Sequence, residues 1–139
     1  MNRIVTDQRD RVAAWVAQRI GRDCAWEGAY AMGVEDESGQ LIGGVAVVDF
    51  NGVNASLHVA GEGRRWCSRK FLRTVCDYLF LQCGLRRVTG IVPSSNAAAL
   101  QFDLRAGFEI EAVLRDADPG GDLIVLVMWR DKCPWLKGA

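Results

Sequence analysis

The 139-residue chain is sparing with several residue types: one histidine, three prolines and two tyrosines. Each scarcity excludes something. With a single imidazole, and five cysteines that show no Cys-x-x-Cys spacing, there is no ligand set for a Cys/His zinc site, and no metal centre is expected. Cys24, Cys67, Cys76, Cys83 and Cys133 are odd in number and read as mostly buried, reduced thiols of a cytoplasmic protein. Net charge is also missing, since Lys+Arg and Asp+Glu stand at 17 each. Non-specific nucleic-acid binding needs a large positive field, so the balance argues against it. No apolar run reaches the length of a membrane span, and the start, MNRIVTDQRDR, lacks the apolar centre of a signal peptide.

Half of the residues are hydrophobic and 24% are charged, the composition of a globular protein. No repeat, linker or low-complexity tract divides the chain, so residues 1–139 read as one domain with a single core. Asp7–Ile20 reads as a helix capped by Thr6 or Asp7, with Val12, Val16 and Ile20 along one side. Gly21–Ala29 reads as loop. Tyr30–Glu35 and Leu41–Phe50 follow as strands, the second apolar enough to be covered on both faces. Asn51-Gly52 is a hairpin signal leading into a strand at Ala55–Ala60. Ser68–Cys83 has the clearest helical period, through Leu72, Val75, Cys76, Leu79 and Cys83, and Gly84 can end it.

The stretch Ile91–Phe108, IVPSSNAAALQFDLRAGF, carries the most local signal. The strand Arg87–Val92 ends at Pro93, and Ser94, Ser95 or Asn96 can cap a helix by accepting an N–H of its first turn. Gly107 suits the left-handed residue just past the helix end. The last strands, Glu109–Arg115 and Leu123–Trp129, flank a turn at Asp118-Pro119-Gly120-Gly121. The order is helix, three strands, helix, strand, helix, two strands. It implies a mixed α/β fold: a mostly antiparallel sheet, one parallel strand–helix–strand unit with a right-handed crossover, and flanking helices.

Two further features concern chemistry. Arg64, Arg65, Arg69, Lys70 and Arg73 cluster at the front of the long helix, where the dipole disfavours cations unless an anion is present. A solvated basic patch is the bland reading; a bound anion explains the placement better. His58 lies on the strand before that cluster, sharing a face with Ser56 and Ala60 while Leu57 and Val59 share the other. Its imidazole suits proton removal near neutral pH, and a satisfied, half-buried histidine is the alternative.

The series of strand, Asn-headed helix, Gly-Phe and strand resembles the second half of the GNAT acyltransferase superfamily, and the element order matches that core over nearly the whole chain. The resemblance implies an N-acyltransferase that uses acetyl-CoA as co-substrate and an amine as acceptor. Acetyl-CoA would lie between the strands at 55–60 and 87–92. Its contacts would come from Val59, Gly61, Arg64, Arg65, Ser68, Arg69 and Asn96, with His58 the candidate base. In the family's Arg/Gln-x-x-Gly-x-Gly/Ala phosphate loop, Gly63, Trp66 and Ser68 fall where Arg/Gln, Gly and Gly/Ala are usual, and Trp66 is expected to crowd the backbone's approach to phosphate. Of the run Asn-x-x-Ala-x-x-x-Tyr-x-x-x-Gly-Phe, Asn96, Ala99, Gly107 and Phe108 match. The tyrosine that protonates the departing thiolate is replaced by Asp103, the second catalytic candidate. An ionised carboxylate cannot donate a proton, so without a raised pKa Asp103 is expected not to be the general acid but a charge on the helix surface or a contact for a cationic substrate. An inactive GNAT-like binding module and a nucleic-acid-modifying enzyme are the alternatives. Trp135 and Leu136 in the tail read as docking on the domain, and a monomer or homodimer is expected.

Overall fold

The structure is a computed structural model that describes residues 1–21, 26 and 28–136. Cys24 and most of the loop expected at 21–29 lie outside the described residues, as do the last three residues of the tail. The architecture is mixed α/β and mostly antiparallel. The strands are β1 (Arg3–Val5), β2 (Tyr30–Glu35), β3 (Leu41–Val48), β4 (Ser56–Gly61), β5 (Arg87–Pro93), β6 (Glu109–Asp118) and β7 (Gly121–Trp129). The helices are α1 (Arg9–Arg19), α2 (Arg69–Cys76) and α3 (Ala97–Ala106). Cα packing divides the chain into two compact units, Met1–Val48 with Leu57–Val75, and Asp49–Ser56 with Cys76–Ala139.

In the first unit the strand order is β1-β2-β3-β4, with β1 antiparallel to β2 and β2 antiparallel to β3. Glu62 N–H donates to the carbonyl of Ile42 at 2.8 Å, so the end of β4 lies opposite the start of β3, as in an antiparallel pair. The helix α1 buries Val12, Ala13, Val16 and Ala17, and with Val5, Ala31, Leu41 and Ala46 it forms one apolar cluster. Fully burying Val12 and Val16 is worth about 1.5–3 kcal/mol each. The cap expected at Thr6 or Asp7 is not used: Gln8 precedes the helix and makes no side-chain cap. Packing and the ends of the helix hold it instead. Glu35, buried at the end of β2, pairs with Arg3 of β1 and with Arg11 of α1. The Arg11 hydrogen bond holds its carboxyl below the usual range, against the opposing effect of desolvation and with further help from Arg3.

The second unit has the order β5-β7-β6, both pairs antiparallel. The segment ahead of β4 runs beside β5: Arg87 N–H donates to Val53 O at 3.3 Å and Thr89 N–H to Ala55 O at 2.8 Å. Both numbers rise together along the two strands, which is the parallel alignment that a strand–helix–strand crossover requires. Arg87 ties the unit together. Its guanidinium donates to both oxygens of Glu111 on β6 at 2.7 and 2.6 Å, reaches Asn54 and Thr89, and lies over the ring of Trp129 on β7.

The helix expected at Ser68–Cys83 is α-helical only to Cys76 and continues as a π-helical segment, Asp77–Gln82, whose end is marked by Cys83 N–H bonding Tyr78 O five residues back. Trp135 docks as expected, its Nε1 donating to Ala106 O at 2.6 Å. All described cysteines are free thiols, with Cys76 and Cys133 buried. Among the described residues no helix is long and apolar enough to cross a membrane, and no cluster of His, Cys, Asp or Glu has the spacing to hold a metal ion.

Candidate functional site

In the first unit, β4 carries His58, Val59 and Gly61, and the chain then turns through residues 62–68 into α2. Strand alternation sets His58 and Ala60 on one face and Val59 and Gly61 on the other. Ala60 packs against the α1 cluster, and so does Trp26. Trp26 stacks on the imidazole of His58, ring centroids 4.7 Å apart and planes at 21°. His58 is therefore half-buried on the α1 face, fixed by an indole. Trp26 was not legible as a partner: its segment carries no periodic pattern, and a lone tryptophan in a loop is the only signal available.

Trp66 occupies the opposite face. It is buried, and its ring lies flat on the backbone of β3 and β4: a Cβ at Gly43 would meet it at 2.6 Å, and one at Gly61 closer still. Its Nε1 donates to the carbonyl of Gly63 at 3.1 Å, closing the loop over the ring. The indole packs on β3 and β4, because two side-chain-free positions on adjacent strands make room for it.

Above the ring, Arg64, Arg65, Arg69, Lys70 and Arg73 are exposed, and among the described residues none has a carboxylate within ion-pair distance. Ser68 is exposed; its hydroxyl accepts Phe71 N–H at 3.1 Å and so caps α2. One of the orphan donors of the first turn is thus satisfied, while the rest of that turn and the neighbouring guanidinium groups are open to an anion.

In the second unit, Asn96 heads α3 and accepts Ala99 N–H at 3.2 Å, and Gly107 ends the helix in the left-handed region at φ 115°. Asp103 is corrected from a helix-surface charge. It is half-buried, and its Oδ2 comes within 3.9 Å of where a Cβ on Gly90 of β5 would stand, with Phe108 beside it. Burial raises its carboxyl to about 6, near neutrality and within reach of proton-transfer chemistry. The sequence named the residue but not this environment, which depends on a glycine 13 positions earlier on another strand.

No protein-family model matches the sequence, and no curated protein matches it. Solved structures do. A chimera of the Vibrio cholerae spermidine N-acetyltransferase SpeG and hSSAT superposes with a TM-score of 0.73 at 17% identity, covering 94% of this chain and 97% of that one. The dodecameric structure of the V. cholerae enzyme superposes with a TM-score of 0.72 at 15% identity, covering 94% and 95%. The fold is that of the GNAT acyltransferases. At such identities the agreement is one of architecture, and the GNAT topology supplies the frame on which the residues above are arranged.

Proposed function

We propose that this GNAT-fold chain is a cytoplasmic N-acyltransferase that moves an acetyl group from acetyl-CoA to an amine. The observation that carries the reading is the group of exposed cations at the entry to α2, Arg64 and Arg65 in the loop closed over Trp66 and Arg69 and Lys70 in the first turn of the helix. Cations at a helix start are unfavourable unless an anion shares the site, and the phosphates of CoA are such anions. Val59, Gly61, Arg64, Arg65, Ser68 and Arg69 in the first unit, and Asn96 in the second, are the proposed CoA contacts. His58 is kept as the candidate base for the attacking ammonium, directly or through water, although its stack on Trp26 holds it on the α1 face, away from Trp66, and equally fits a structural histidine. The amine nitrogen then bonds to the thioester carbon, the C–S bond breaks, and Asp103 returns a proton to the departing thiolate. A carboxyl near 6 suits that donor role better than one at its ordinary value.

Calorimetry with acetyl-CoA and with CoA tests the cofactor. Binding should weaken in Arg64→Ala/Arg69→Ala, and its dependence on salt should flatten. No heat and no thermal shift with millimolar CoA would refute the assignment. An acceptor screen, begun with spermidine because the structural neighbours are named for it, then tests turnover. His58→Gln should keep its CoA affinity and lose about 10²-fold or more in rate. Replacement of the family's tyrosine by Asp103 favours a second reading, an inactive binding module; it predicts CoA binding with no acceptor turned over.

A further inference from the structure

Two buried cysteines of the second unit lie outside the proposed reaction and beside each other. Cys76 is the last residue of α2, and Cys133 follows the single 3-10 turn Arg130–Lys132 after β7. They are 5% and 2% exposed, and the Cys76 thiol donates a hydrogen bond to the Cys133 sulfur. The pair is not symmetric. The main-chain N–H groups of Trp135 and Leu136 also donate to the Cys133 sulfur, as the chain turns back over it. A Ser or Asn oxygen receives amides in the same way when it caps a turn. The Cys76 thiol and these two amides hold the Cys133 thiol below its usual range, against burial, while the same thiol–thiol bond and burial push Cys76 up. Asp77, next along the chain, has a buried Oδ1 with no hydrogen-bond partner, and its charge opposes a thiolate at either sulfur. Joining the two sulfurs relieves that repulsion, because a disulfide carries no charge.

We propose that Cys76 and Cys133 are a redox-modification site: hydrogen peroxide converts the dithiol to an intramolecular disulfide, with Cys133 the attacking sulfur and Cys76 the resolving one. The Cys133 thiolate bonds to one peroxide oxygen and the O–O bond breaks. The hydroxide that leaves is neutralised by the proton the thiol gave up, and Cys133 becomes a sulfenic acid. The Cys76 sulfur then bonds to the sulfenic sulfur, the S–O bond breaks, and the departing hydroxide takes the Cys76 proton. Two thiols and one peroxide thus give one disulfide and two waters. In a reducing compartment the bond is transient, and a dithiol reductant restores both thiols. Peroxide is small enough to reach a sulfur covered only by the short segment Pro134–Leu136, whereas Cys67 and Cys83 are more exposed and would be oxidised first if exposure alone decided.

Peptide mapping of the reduced full chain is the test, after treatment with equimolar hydrogen peroxide and alkylation of the thiols that remain. The main product should be the linked Cys76–Cys133 peptide pair, two hydrogens lighter than the dithiol, with Cys67 and Cys83 recovered as alkylated thiols. Dithiothreitol should abolish the link. In Cys76→Ala the resolving thiol is gone, so dimedone should label the sulfenic acid on Cys133. In Cys133→Ala the same treatment should leave Cys76 unlabelled. The mapping uses wild-type protein, so it decides the matter even where a variant fails to fold. The proposal is overturned if peroxide oxidises Cys24, Cys67 or Cys83 while Cys76 and Cys133 remain thiols, or if the linked pair is no more abundant than other pairings. It is equally overturned if Cys76 in Cys133→Ala takes the dimedone label as fast as Cys133 does in Cys76→Ala.

Discussion

Asp103 shows how one residue can carry opposite effects on stability and on chemistry. Its carboxyl is raised to about 6 by burial, so the folded state binds the proton more tightly than the unfolded chain does. Stability therefore falls as pH rises from the ordinary carboxylate value to about 6, and above that the cost of the buried charge is on the order of 3 kcal/mol. Asp103→Asn should be more stable than wild type in urea at neutral pH and no more stable in acid, while the limb of the rate–pH profile set near 6 disappears. Equal stability at both pH values would mean that the carboxyl is not desolvated. Glu35 works the other way. Its carboxyl is held low by Arg11, so its contribution is complete above the ordinary glutamate value and is lost as pH falls through the folded one. Glu35→Gln should lower Tm at neutral pH and flatten the decline of Tm in acid; an unchanged acid slope would contradict the pairing. Neither environment was visible in the sequence, because each depends on side chains brought from other elements.

Among the elements, those with local signals were legible. The cap at Asn96 and the left-handed Gly107 are chemistry written into adjacent residues, and they bound α3 as read. Two other elements escaped. The strand β1 has three residues, too few for any period, and its place is held by pairing with β2 and by the Arg3–Glu35 ion pair. The change from α- to π-helix after Cys76 is equally silent, since the apolar spacing of Leu72, Val75 and Leu79 fits either ladder. Asn96 itself has two proposed roles that can be separated. Asn96→Ala should cost about 1 kcal/mol of stability through the lost cap. Asn96→Asp should keep the cap, and weaker CoA affinity in that variant would point to a contact with the ligand. If Asn96→Ala leaves urea unfolding unchanged, the cap is energetically idle.

For the molecule as a whole, the mixed α/β topology was legible because alternating strand and helix periods in this order allow few connections, and the parallel register of residues 53–55 against β5 follows from a right-handed crossover. Charge balance acts at the same scale. With a formal charge of zero and a pI near 6.6, little global repulsion keeps copies apart at neutral pH. Solubility should pass through a minimum near that pI and rise on either side; a flat profile would show that local patches govern association instead.

The indole beneath the phosphate-loop candidate also constrains how this sequence can change over time. Trp66 tolerates no side chain at Gly43 or Gly61, which lie 23 and five positions away in the chain. Gly43→Ala in the presence of Trp66 forces the ring out and should be strongly destabilising. Trp66→Ala leaves a void costing about 3–5 kcal/mol, and in that background Gly43→Ala should recover part of the loss. The sign of one substitution thus depends on the other, and the order in which they arise decides which lineages stay folded. A descendant that trades the tryptophan for a glycine-rich loop must lose the ring first and regain strand side chains afterwards, crossing a less stable intermediate on the way.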